Sequence, residues 1–328
     1  MQIWVRTEAS ARIGLGHFMR CFAIAEAARH SGFPVTFLLN DTADAIKSRL
    51  AQIGAGCLRL DTPIGSPEDA AALRAIVPRG EVILLDSYAL GADFYADLYT
   101  DYRLAVMDDL AEVRPLQVHL VINAAVSASA DLYAAITPGA RLCLGPEYAA
   151  IRQEFRRFYP LPRRAHICVL FGGSDPKGFT AVCAEALLEA APMHDIRLIV
   201  GPANRDVDAL RTLCATHPAL KLYLSPDNVA EVLSGASLVV TAAGGSVGEI
   251  AAMRLPALVM VVVDNQAASL TASPYPVMDA RSGWPEGFNA EVEALLGDPR
   301  ARLNAAADAH TLVDGRGAER IVEAMTRV

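Results

Sequence analysis

Short apolar runs alternate with longer alanine-rich stretches along the whole chain. The runs "IWVR" (3–6), "VTFLL" (35–39), "VILLD" (82–86), "RLAVMD" (103–108), "HLVINA" (119–124) and "RLCLG" (141–145) form a first series. A second series holds "HICVLFG" (166–172), "IRLIVG" (196–201), "LKLYL" (220–224), "SLVVTA" (237–242) and "ALVMVVV" (257–263). Runs of this length that are apolar on both faces belong to parallel strands covered on two sides. The stretches between them have helical spacing. "FMRCFAIAEAARHSG" closes at Gly32 and "GFTAVCAEALLEAA" stops at Pro192, both ordinary helix ends. Repeated β-α-β predicts an α/β fold of two doubly wound parallel-sheet domains.

The alternation breaks once. "PEYAAIRQEFRRFYPLPRRAH" (146–166) is basic, aromatic and bounded by prolines, and it reads as a helix and linker. The expected organisation is a first domain over 1–148, a linker over 149–165 and a second domain over 166–328. The last helix is expected to return to the first domain. Ligands bind beyond the carboxyl ends of such strands, so the cleft between two domains is the expected site.

Composition narrows the class. The chain has 328 residues, more than one ordinary core holds, with 53% hydrophobic and 20% charged residues. Its longest apolar run, "LPALVMVVV" (255–263), is flanked by Arg254 and Asp264 and falls short of the roughly 20 residues that span a bilayer. Arg6 and Glu8 arrive before a signal-peptide core can form, so a cytosolic protein is expected without membrane insertion. The six cysteines contain no C-x-x-C, and Cys143 and Cys168 lie inside strand-like runs, as small buried hydrophobes do. The seven histidines lack metal-ligand spacing, and a net charge of −8 without a lysine-rich segment argues against nucleic acid. The expected partner is a small molecule, and the expected state is a monomer or weak oligomer.

Candidate chemistry sits in four strand-end loops. In "IGLGH", Gly14 and Gly16 permit tight turns and close approach to a ligand, while Met19 replaces the last glycine of a dinucleotide fingerprint. His17 then starts a helix, whose positive end is expected to lower the imidazole pKa and keep the ring neutral. The other reading is a histidine that only caps or packs. "LLDSYALG" (84–91) places Asp86, Ser87 and Tyr88 at a strand end, and "MDD" (107–109) places Asp108 and Asp109 at another. These carboxylates either serve a site or cap the next helix. In "LFGGSDPKG" (170–178), Gly172, Gly173 and Ser174 offer N–H groups and a hydroxyl to an anion, with Pro176 suited to the first turn of the next helix. The loop lacks the GK[ST] of a P-loop, and a plain turn is the alternative. In "VVTAAGGSVGEIAAMRLP" (239–256), Gly244, Gly245 and Ser246 open a helix able to hold a diphosphate. Glu249, one turn further, either accepts both hydroxyls of a ribose or is a solvated helix residue. "VVVDNQ" (261–266) sets Asn265 and Gln266 where they bind sugar hydroxyls or make a turn.

Together, "R-T-E-A-S-x-x-I-G-L-G-H-x-x-R-C", "LDSY", "MDD", "EYAAIRQEF", "LFGGSDPKG", "TAAGGSVGEIAA", "VVDNQ" and the closing "LVDGRGAERIV" resemble the pseudaminic acid pathway hydrolase family. Those enzymes split UDP-2,4-diacetamido-2,4,6-trideoxy-β-L-altropyranose into UDP and free sugar. The C-terminal half also resembles GT-B glycosyltransferases, such as the lipid II N-acetylglucosaminyltransferase. The resemblance implies a GT-B-like architecture, UDP held mainly by the second domain, His17 as catalytic residue, and Arg152 and Glu249 on the substrate. Tyr88 and Asn265 match positions that line the sugar pocket. It also implies a part in pseudaminic acid biosynthesis and flagellin glycosylation. The chain departs from the pattern after Gln266, where "AASLTASPYPVMDARSGWPEG" (267–287) is Pro-rich and is expected to touch the sugar or cover the site.

Hydrolysis needs a base for water, and His17 is expected to fill that role, with inversion expected at the anomeric carbon and neither metal nor cofactor called for. Arg12, Arg20 and Arg152 are expected to offset the charge of the dianionic substrate, unless Arg6 and Arg20 are structural. A GT-B glycosyltransferase, a hydrolase for another nonulosonic acid precursor and a non-catalytic UDP-sugar binder are the alternatives.

Overall fold

The computed structural model describes residues 1–8, 16–157 and 165–328. They form two compact units, Met1–Gln153 with Gly315–Val328, and Glu154–Asp314.

The first unit is built on seven strands: β1 (Ile3–Thr7), β2 (Val35–Leu39), β3 (Gly56–Arg59), β4 (Val82–Asp86), β5 (Arg103–Met107), β6 (Leu120–Asn123) and β7 (Arg141–Leu144). All pair in parallel, in the order β3-β2-β1-β4-β5-β6-β7. Alternate side chains leave each strand on opposite faces, and in β1, β2, β4, β5 and β6 both faces are buried. Ile3, Val5, Phe37 and Leu84 enter one core with Phe18, Phe22 and Ile24 of the helix Gly16–His30. Trp4, Leu38, Ile83 and Leu85 enter the other with Leu73, Phe94 and Leu98. Two-sided burial is why these strands read as continuous apolar runs. The final helix, Gly317–Met325, lays Ile321, Val322 and Met325 on the first helix, each side chain contributing roughly 1.5–3 kcal/mol on burial.

The second unit holds β8 (His166–Leu170), β9 (Asp195–Val200), β10 (Leu220–Leu224), β11 (Leu238–Ala242), β12 (Ala257–Val261) and β13 (Val277–Asp279), all parallel, in the order β10-β9-β8-β11-β12-β13. Ile167, Val169, Leu198, Val240 and Met260 share its core with Phe179, Cys183 and Leu187 of the helix Phe179–Ala190.

Two strands lie outside the predicted set. β3, "GCLR", is a largely exposed edge strand, so no apolar run marks it. β13 is three residues long and lies within the segment 267–287 read as irregular. That segment is anchored rather than loose: Tyr275 donates its hydroxyl to the carbonyl of Leu255 at 3.0 Å, and the Trp284 ring lies 4.6 Å from Phe288 and 5.4 Å from Phe179. The helix expected within 146–166 is also corrected. Its described residues form only two 3₁₀ turns, Pro146–Tyr148 and Gln153–Arg156; residues 158–164 lie outside the described residues.

Candidate active site

Each sheet has one topological switch point. In the first, the chain winds from β1 to β2 and β3 on one side, then crosses to β4 on the other. Ligands of doubly wound sheets enter the crevice beyond such a pair of strands. Thr7 and Asp86, the last residues of β1 and β4, are register partners, and the Thr7 hydroxyl donates to the Asp86 carbonyl at 3.0 Å.

His17 is the second residue of the helix that follows β1, and only 9% of its surface is exposed. Its Nδ1 lies 2.9 Å from Oδ1 of Asp86, an ion-pair approach rather than a well-aligned hydrogen bond. Arg20 projects from the same helix face one turn later. It donates Nη2 to the same Asp86 oxygen at 2.6 Å and Nε to Oδ2 at 2.7 Å. Its Nη1 reaches both oxygens of Asp109, at 2.9 and 2.8 Å. The Tyr88 hydroxyl donates to Asp109 at 2.9 Å, and the Tyr88 ring stands edge-on to the His17 imidazole with centroids 4.7 Å apart. Five side chains from the ends of three elements therefore close a cycle. Asp86 is fully buried, whereas Tyr88 is 63% exposed, so the cycle has an inner and an outer rim.

The charges follow from these contacts. Burial alone pulls the His17 pKa down, and Arg20 adds to that, but the Asp86 carboxylate against the ring outweighs both and leaves it above the ordinary value. The expectation of a lowered pKa is thus corrected: a buried carboxylate in contact with the ring exceeds the field of a helix end. Burial pushes Asp86 upward, yet Arg20 and His17 hold its carboxyl below the usual range. Burial and Asp109 push Tyr88 up to about 12, so it stays a hydroxyl donor at neutral pH. Burial and Asp86 raise the Cys21 thiol well above its ordinary value, leaving it unreactive.

Several sequence expectations change here. Arg20 is engaged by two carboxylates instead of standing ready for a phosphate. Asp108 caps its own turn, accepting from the N–H groups of Leu110 and Ala111, while Asp109 joins the cycle. Ser87 donates to Glu8 at 2.6 Å. Gly16 has helical backbone, and a Cβ there meets open space, so no tight turn at Gly16 requires glycine. Gly14 and Arg12 lie outside the described residues. Arg152 is buried in the first unit, beside Gln153, whose N–H donates to Glu26 at 2.7 Å. The Arg20–Asp109 arm was not foreseen: the i, i+3 spacing of His17 and Arg20 puts both on one helix face, but Asp109 comes from 89 residues away.

In the second sheet the switch point lies between β8 and β11. Gly172, Gly173 and Ser174 follow β8 and are exposed, and Gly172 has φ +78°, which favours glycine. A Cβ on Gly201, after β9, would lie 2.5 Å from Cα and O of Gly173, so the two loops cross backbone to backbone. The Ala203 N–H donates to the Gly173 carbonyl at 3.2 Å. Asp175, also buried, caps the following helix by accepting from Phe179 N at 3.0 Å and Thr180 N at 2.7 Å. That helix begins at Phe179, so Pro176 stands in the loop and not in the first turn as expected. The N–H groups capped by Asp175 are occupied, and any anion here must use the loop itself.

Gly244 and Gly245 are exposed beyond β11, and Ser246 opens the short helix Ser246–Ala252 with Glu249 in its first turn. The Thr241 hydroxyl donates to the Leu170 carbonyl at 2.9 Å, so both glycine loops leave adjoining strand ends. Asn265 and Gln266 fall in a 3₁₀ turn after β12. Asn265 is exposed, whereas the Gln266 side-chain oxygen accepts from Val262 N at 2.9 Å and so serves the turn. Among the described residues no helix is long and apolar enough to cross a membrane.

Two parallel sheets with flanking helices and matching solved structures define a two-domain α/β fold of the GT-B type. The kitacinnamycin glycotransferase is 17% identical with a TM-score of 0.69, over 99% of this chain and 98% of that one. The Anabaena protein HepE, solved in complex with UDP, is 14% identical with a TM-score of 0.67 over 100% of both chains. Among sequence relatives, the UDP-2,4-diacetamido-2,4,6-trideoxy-β-L-altropyranose hydrolase of Campylobacter jejuni is 21% identical over 278 residues, 83% of this chain and 95% of that protein. An uncharacterized protein of Methanocaldococcus jannaschii is 24% identical over 274 residues, 79% of this chain but only 55% of that protein's length. No family model matches the chain.

Proposed function

We propose that this protein is an enzyme of nucleotide-sugar metabolism that hydrolyses a UDP-linked diacetamido-trideoxy sugar to UDP and the free sugar, in the manner of pseudaminic acid biosynthesis. The observation that carries this reading is the His17–Asp86 pair at the first switch point, 2.9 Å apart. Similarity along nearly the whole Campylobacter hydrolase supports it.

With Nδ1 turned to a carboxylate, its proton is fixed there, and Nε2 keeps the lone pair that accepts a proton. Nε2 takes a proton from water as the water oxygen bonds the anomeric carbon. The bond from that carbon to the phosphate oxygen breaks, UDP leaves with the electron pair, and the configuration inverts. General-base assistance of this kind contributes about 10²–10⁴-fold. In this reading Gly172–Ser174 and Gly244–Ser246 receive the diphosphate, Glu249 the ribose, and Tyr88, Arg152 and Asn265 the sugar.

A glycosyltransferase is the second reading. Leu110 and Val126, 51% and 57% exposed on loops beyond the carboxyl ends of β5 and β6, suit an apolar acceptor. Incubation with a panel of UDP-linked diacetamido sugars without acceptor decides between them. UDP release that is lost in His17→Asn, with UDP binding retained, supports hydrolysis. UDP release that requires an added acceptor supports transfer, and near-normal release by His17→Asn removes His17 as the base.

A further inference from the structure

We propose that Arg20 is the positioning residue of the His17 base: clamped by Asp109 on its outer edge, it fixes the Asp86 carboxylate against Nδ1 of His17 and shares the same carboxylate oxygen. This rests on the reading of His17 as the base.

The geometry is specific. Arg20 Nη2 and His17 Nδ1 both approach Asp86 Oδ1, at 2.6 and 2.9 Å, while Arg20 Nε holds Oδ2 at 2.7 Å. A bidentate guanidinium leaves its carboxylate one orientation, and lysine cannot reproduce that. Arg20 has no freedom either, because Asp109 accepts from Nη1 with both oxygens. Asp86 is fully buried, so a rotated carboxylate would find no water to replace these donors.

The shared oxygen also sets the charge on the base. Alone, buried Asp86 would hold His17 strongly as the imidazolium, which cannot accept a proton. Arg20 draws on the same carboxylate and opposes that effect. The other groups facing this pair do not supply such a counterweight. Cys21, on the same helix, is a neutral thiol 3.4 Å from Asp86 Oδ2. Tyr88 after β4 stays protonated beside Asp109, and Tyr95 from the next helix, near Asp108 and Asp86, is held protonated by burial. Glu8 at the end of β1 accepts from Ser87. Among the described groups, Arg20 is the cation in direct contact with Asp86.

The test is an NMR titration of ¹³C-labelled histidine, run beside a pH profile of kcat/KM, on wild type and three variants. Arg20→Gln is expected to raise the His17 pKa, carry the acid limb upward with it, and lower kcat on the order of 10²-fold, the cost of a base misplaced by about 1 Å. Arg20→Lys keeps the charge but loses the fork, so its pKa stays near wild type while kcat remains low. Asp109→Asn, at the partly exposed outer rim, removes one negative charge and frees Arg20 for Asp86, so the His17 pKa falls; this variant tests the proposal even if Arg20→Gln does not fold. An unchanged or lower His17 pKa in folded Arg20→Gln overturns the proposal, as does an Asp109→Asn protein identical to wild type in both readouts. The titration needs no substrate: a His17 pKa that responds to Arg20 in a protein inactive on every UDP-sugar supports the pairing and faults only the reaction.

Discussion

Arg6 projects from the middle of the first sheet and is completely buried, as is its partner Asp69. Arg6 Nη2 lies 2.8 Å from Asp69 Oδ1, and Nε reaches both carboxylate oxygens at 3.1 and 3.2 Å. The carboxylate also accepts from the Thr62 hydroxyl at 2.8 Å and Gly65 N at 3.0 Å. The remaining donors of Arg6 go to backbone carbonyls of Leu38 and Thr62. Asp69→Asn preserves shape but leaves a buried guanidinium facing carbonyls and a neutral amide. Removing one partner of a buried pair costs about 3–5 kcal/mol. At about 2–4 °C per kcal/mol for a domain of 150–250 residues, the first unit should melt on the order of 10 °C lower. Because the chain has two units, hydrogen exchange on strands β1 and β2 should accompany the calorimetric scan. The double variant Arg6→Met/Asp69→Leu removes both charges and should recover part of the loss, the remainder reflecting the Thr62 hydroxyl and Gly65 N–H left without their acceptor. Affinity for UDP should be unchanged throughout, because every donor of Arg6 points inward. A melting temperature within about 2 °C of wild type in Asp69→Asn would refute the reasoning, as would a double variant less stable than the single one.

The pH dependence of turnover follows from His17. Its pKa is raised, so activity should fall with acid through a midpoint above the ordinary value of about 6.5, and a midpoint below that in a kcat/KM profile would contradict the role given to Asp86. The same shift stabilises the fold below the unfolded pKa and is lost as pH rises through the folded one, which denaturation at several pH values reads directly. Gly201→Ala should push Gly173 aside and weaken UDP binding measured by calorimetry, with little change in the melting of the first unit; unaltered UDP affinity would detach the Gly172–Ser174 loop from the ligand. Glu249→Ala should cost about 1.5–3 kcal/mol of UDP affinity, the scale of hydrogen bonds to a charged group, and an unchanged Kd in the folded variant would remove Glu249 from the nucleotide.

Much of this architecture was legible because local chemistry and tertiary placement agree. A strand buried on both faces is apolar at most positions, so the inner strands stand out as runs, and the eleven strand runs quoted above match strands to within two residues. Glycines after strands mark loops, and in parallel sheets those loops lie on the carboxyl edge. β3 and β13 escaped because each is an edge strand with too little apolar sequence to show: Gly56 and Arg59 leave β3 two apolar residues, and β13 is three residues long, whereas the edge strands β7 and β10 keep longer runs.

The sequence alone determined which residue types stand at the strand ends: His17 after the first strand, Asp86 and Tyr88 after the fourth, and glycines at 172–173 and 244–245. It did not determine their partners. Asp86 lies 66 residues from Arg20, and Arg20 lies 89 from Asp109, so no spacing rule joins them. The strand order joins them, by setting β1 beside β4 and β4 beside β5. That order also reversed the sign of the His17 pKa shift. A helix end is a local feature visible in sequence, whereas the carboxylate that outweighs it comes from a strand whose place in the sheet is fixed only by the packing of the whole unit.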